Sequence, residues 1–90
     1  MKTIIENESK ISKYLLTDES TILQLPNQIS VVVKNGLNVE DVFTIADMNE
    51  NNSTVFSNIS APENWTGNKY IYDNNQFILN PNWVEPEVVE

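Results

Sequence analysis

The stretch "KYIYDNNQFILN", Lys69 to Asn80, decides the fold. Two short runs of β-branched and aromatic residues flank Asp73, Asn74 and Asn75. That pattern predicts a β-hairpin with Asn74-Asn75 as a two-residue loop, because asparagine tolerates the positive φ such a loop demands. The register follows from the loop length. Tyr72 then faces Phe77 and Tyr70 faces Leu79 on one side of the ribbon, while Ile71 faces Ile78 on the other. Cross-strand pairs of this kind contribute roughly 0.2–1 kcal/mol each.

Working outward, the same grammar recurs. "KYLLTD", "TILQL", "QISVVVK", "DVFTIAD" and "STVFSNI" are short apolar runs bounded by Asn, Asp, Pro or Gly. Their spacing is that of an all-β chain rather than a helical one. "KNGL" places Asn35-Gly36 as a second hairpin turn, and Pro26 ends "TILQL" or marks it as an edge strand. "NVEDVFTIADM" reads two ways. Val39, Val42, Phe43 and Ala46 make a helical stripe, whereas Val42 to Ile45 is a β-branched and aromatic run; the strand reading is preferred because the segment is short. The expected architecture is a small antiparallel sandwich or partly open barrel with a C-terminal aromatic hairpin. Residues 1–10 read as a polar N-terminal arm, 11–83 as a single β domain, and 84–90, "VEPEVVE", as an acidic tail.

Composition removes many occupations. The 90 residues include no cysteine and no histidine, so disulfides, thiolate zinc sites and the commonest general base are absent. Five lysines and no arginine stand against 13 acidic side chains, a net charge of -8. That balance argues against nucleic acid and against anionic lipid, and fits a soluble protein, one that meets a basic partner, or one that mimics nucleic acid. No apolar run is long enough to span a membrane, and "MKTIIENESK" lacks the pattern of a signal peptide. A chain of this size buries only roughly 60–65% of its unfolded surface, so its core is small.

No catalytic constellation emerges, and no cofactor is expected. Two glycines, Gly36 and Gly67, cannot build a phosphate loop, and nothing selects an acid–base pair among the carboxylates. "DMNENNSTVFSN" imitates a calcium loop through Asp47, Asn49 and Asn51, but the sixth position is Asn52 rather than glycine and the twelfth is Asn58 rather than glutamate. A solvated turn is the better reading. The aromatics remain. Trp65, Tyr70, Tyr72, Phe77 and Trp83 either line a carbohydrate or peptide groove or build the core of a very small domain. A mixed outcome is expected, with Trp65, Tyr70, Tyr72 and Trp83 as candidate partner contacts and the two tryptophans flanking the open end of the hairpin.

"APENWTGNKYIYDNNQFILNPNW", with "SKYLLTDES" upstream, resembles small uncharacterised proteins of tailed phages, especially T4-like marine and cyanobacterial phages. The residues that carry the resemblance are Trp65, Gly67, Lys69, Tyr70, Asp73, Phe77, Asn80, Pro81 and Trp83. The turn departs from the more usual Asp-Gly, having Asn74 after Asp73. "NGLNVEDVFTIADMN" is similar to β-rich insertions in phage coat proteins. The resemblance implies a phage origin and a small accessory product, and it supplies no catalytic residues. The expected function is therefore a non-enzymatic virion accessory or structural protein, a head decoration or tail component assembled in the host cytoplasm and docked on other virion proteins. The alternative is a soluble acidic inhibitor that occupies a basic site on a host protein.

Overall fold

The computed structural model describes residues 1–84 and is all-β. Eight strands run in the order β1 (Lys2–Glu6), β2 (Ser12–Leu16), β3 (Thr21–Gln24), β4 (Ile29–Asn35), β5 (Asn38–Ile45), β6 (Ser53–Phe56), β7 (Tyr70–Asp73) and β8 (Gln76–Leu79). They form three small antiparallel sheets, ordered β2-β1-β6, β3-β4-β5 and β7-β8. No sheet closes into a barrel among the described residues. The seven apolar runs read from the sequence are β2 to β8.

The expected N-terminal arm is corrected. Residues 2–6 form β1, the central strand of the first sheet, paired to β2 on one side and β6 on the other. Ile4 is fully buried and Ile5 nearly so. The domain therefore begins at β1 rather than at residue 11. "KTIIE" reads as polar because its charges sit at the strand ends, while its two isoleucines point to opposite faces. The acidic tail falls on residues 84–90, of which 85–90 lie outside the described residues.

Strand periodicity builds the core. Ile4, with Val55, Tyr14 and Leu16, occupies one face of the first sheet. Ile29, Val31 and Ile45, with Ile22, Val33 and Phe43, occupy the facing side of the second. Met48 completes the cluster. The other face of the first sheet carries Thr3, Ile5, Ser12 and Phe56, and the β7-β8 hairpin covers it. The hairpin is tied on by an Ile11–Ile71 bridge and by the Tyr72 amide donating to the Lys10 carbonyl at 3.0 Å.

Both ambiguous points of the sequence resolve in local terms. Asn38 to Ile45 is strand β5, because its apolar residues pair along β4 from Ile29 to Asn35. The turn before it is shifted by one residue. Asn35 pairs with Asn38, so the loop is Gly36-Leu37, with positive φ at Gly36 (61°) and not at Leu37. That is the type II′ pattern, which wants glycine first. The β7-β8 loop is as expected: Asn74 and Asn75 both have positive φ, 51° and 62°, the type I′ pattern. Tyr72 pairs with Phe77, Tyr70 with Leu79 and Ile71 with Ile78.

Candidate functional site

The four aromatic candidates do not gather into one patch: Tyr70 and Tyr72 share the Phe77 ring, and among the described residues neither tryptophan makes a ring contact with them. Trp65 turns inward, and its Nε1 donates to Ser12 Oγ at 2.9 Å. Thr3 Oγ1 donates to the Tyr14 carbonyl at 2.9 Å, which leaves the 2.6 Å contact between Ser12 and Thr3 with Ser12 as donor. The result is an ordered chain, Trp65 to Ser12 to Thr3 to Tyr14, that satisfies two fully buried hydroxyls between sheet and hairpin. Gly67 makes room for it: a Cβ there would sit 3.2 Å from the Lys13 carbonyl and 4.0 Å from the Trp65 ring. Trp65 is half-buried, and its indole N–H is engaged within the fold.

Tyr72 is 6% exposed and lies between Phe56 and Phe77, with ring centroids 4.9 and 4.8 Å away. Tyr70 is half-buried. Its hydroxyl donates to Asn64 Oδ1 at 2.7 Å, and its ring meets Phe77 edge-on at 6.2 Å. Trp83 is half-buried, and its Nε1 is enclosed without an acceptor among the described residues. The two tryptophans do sit in turns on either side of the hairpin, Trp65 N bonding the Pro62 carbonyl and Trp83 N the Asn80 carbonyl. Among the described residues, no ring contact joins either tryptophan to another aromatic.

Two features escaped the sequence reading. One is the outer face of the second sheet. Alternation along β3, β4 and β5 turns Leu23, Val32 and Val42 outward beside Thr21, Ser30 and Thr44. Leu23 is 54% and Val42 62% exposed, and the neighbouring Val39 and Leu37 are open to solvent as well. The strands announce this face only through their period of two, and no periodicity tells which face will be covered. The other feature is the groove beside Phe56, where the β7-β8 turn stands off from β6. Phe56 lies 16 residues before Tyr72 in sequence, so their contact is a product of the tertiary fold.

Electrostatics are sparse. Lys10 Nζ meets Asp73 Oδ1 at 3.0 Å, a half-exposed pair that pins the hairpin turn to the first sheet. The Met1 ammonium meets Asp18 Oδ2 at 2.9 Å. Its hydrogen bond to Asp18 holds that carboxyl below the usual carboxylate range, with the Asn58 amide also contributing. The calcium-like loop is a turn held by asparagine side chains. Asn49 Oδ1 accepts from the amides of Asn51 and Asn52, and no group of carboxylates among the described residues could hold a metal. Compared with family models, curated proteins and solved structures, this chain matches none.

Proposed function

We propose that this chain is a non-enzymatic accessory protein of a phage virion, a head decoration or tail component that docks on a larger protein assembly. The observation that carries the reading is the outer face of the second sheet, which stands uncovered among the described residues. Leu23, Val32, Val39 and Val42 form an apolar surface on a chain that otherwise carries a net charge of -8. Exposed apolar patches on small acidic proteins mark contact surfaces. Beside it runs β5, an eight-residue edge strand with one side unpaired among the described residues. A free edge of that length adds readily to a partner's sheet. Glu19, Glu40 and Asp41 are acidic residues of the strands and turns of this region, so the partner that fits is a protein with an apolar centre and a basic rim. The phage-like hairpin motif supplies the setting.

The test is fractionation of an infected-cell lysate on a density gradient, probed with an antibody to the chain. The protein should travel with intact particles at many copies each. A Val42→Lys variant, which places a charge in the apolar face at an exposed position, should fold normally and stay at the top of the gradient. Wild-type signal confined to the soluble fractions would sink the virion reading and favour the acidic host-directed inhibitor.

A further inference from the structure

We propose that the groove between the β7-β8 turn and β6 is a binding site for a neutral oligosaccharide. Two neighbouring cavities of about 350 and 420 Å³ share Phe56, Tyr72 and Asn75 as lining residues and make up its two halves. Each half is of the size that small-ligand sites occupy. Phe56, Tyr72 and Phe77 form the aromatic floor, with centroids 4.8–4.9 Å apart along the row. Phe56 and Phe77 are only half-buried and present ring surface to the groove.

The walls are amides and hydroxyls. Among the described residues, the side chains of Asn74, Asn75, Gln76 and Ser60 make no hydrogen bond within the chain. The type I′ turn fixes Asn74 and Asn75 in positive φ, which sets the direction of their side chains before any ligand arrives. Each amide offers both donors and an acceptor, the complement of a sugar hydroxyl. Among the described residues, the only charged ones lining the groove are Lys10 and Asp73, and these neutralise one another at 3.0 Å. A charge-balanced groove on a chain of net charge -8 selects an uncharged ligand. The half-buried rings of Phe56 and Phe77, tilted at 54° and 59° to the buried Tyr72 between them, and the amides at the rim match the apolar face and the hydroxyl edge of a pyranose. This inference is independent of the virion reading.

The experiment is a titration of the whole chain with cellotetraose, maltotetraose and chitotetraose, followed by backbone amide shifts in two-dimensional NMR. At least one sugar should produce saturable shifts centred on Thr54, Phe56, Asn74 and Asn75. Asn75→Gly keeps the turn, since glycine accepts positive φ, and removes the amide. It should weaken binding about tenfold, the loss of one to two hydrogen bonds, with unchanged thermal stability. Ile78→Ala, on the opposite face of the hairpin, should bind as wild type. The proposal is overturned if no sugar gives saturable shifts, if the shifts centre on Trp83 or the second sheet, or if Asn75→Gly binds undiminished. It is equally overturned if an extended Val-Thr peptide occupies the groove and the sugars do not.

Discussion

Strand β1 and the β7-β8 hairpin are both short, yet the molecule uses them in opposite ways. β1 is bonded along both edges and buried on both faces. It joins the two halves of the interior: Ile4 enters the inter-sheet core, and Thr3 and Ile5 face the hairpin. The hairpin is bonded mainly to itself, and a single bridge with a few backbone bonds ties it to the rest. Ile78 and Leu79, on its two opposite faces, are half-exposed. A strand held from both sides can open only when the domain opens. A strand held on one edge can open locally. The groove is built where the second kind meets the first, so its walls can adjust without loss of the core.

The strongest way to break this contrast is Ile4→Ala. Emptying a fully buried site in the central strand should cost about 2–5 kcal/mol, a large share of the stability of a domain this small. Chemical denaturation should show the loss as one cooperative transition. Amide exchange on the wild type sharpens the same point, with β1 amides exchanging only through global unfolding and β8 amides faster.

Ser12→Ala cuts the junction between the two regions. It leaves the Trp65 indole N–H without its acceptor and Thr3 with one partner fewer, which should cost about 1–3 kcal/mol. Tryptophan fluorescence should report a change at Trp65 before the main transition. Gly36→Ala probes a turn remote from both. Nothing lies within 4 Å of the new methyl group, but φ is +61°, so conformational strain alone should cost about 1–2 kcal/mol. Lys10→Met removes the half-exposed ion pair at the hairpin turn and should change stability by less than about 1 kcal/mol.

The smallest effect is acid dependence through Asp18. Its carboxyl is held below the ordinary range in the folded chain, chiefly by the hydrogen bond from the Met1 ammonium. Its contribution to stability is therefore complete above the ordinary carboxylate pKa and disappears as pH falls through the lowered folded value. Asp18→Asn should flatten that part of the acid limb in pH-dependent unfolding and leave the neutral plateau slightly lower. Identical acid limbs in the two proteins would show that the pair contributes nothing.

These regions also differed in how far they could be read in advance. The hairpin was legible down to its register, because Asn74-Asn75 fixes the turn and both strands lie within a dozen residues. β1 was missed because its partners decide its role, and Val55 lies 51 residues from Ile4. The Gly36 turn was displaced by one residue, since Asn-Gly and Gly-Leu loops look alike until pairing across β4 and β5 sets the register. Of the candidate contacts, Tyr72 lies in the groove and Trp65 donates its indole N–H to Ser12.

The sequence by itself determined the class of fold and seven of the eight strands, because alternation and turn residues are local properties. Only the tertiary structure decided which strand is central, which face of the second sheet stays uncovered and which rings meet across the groove. Those outcomes depend on contacts between residues far apart in the chain. Apolar area is buried against whichever surface the other strands leave free, and no local pattern records that choice.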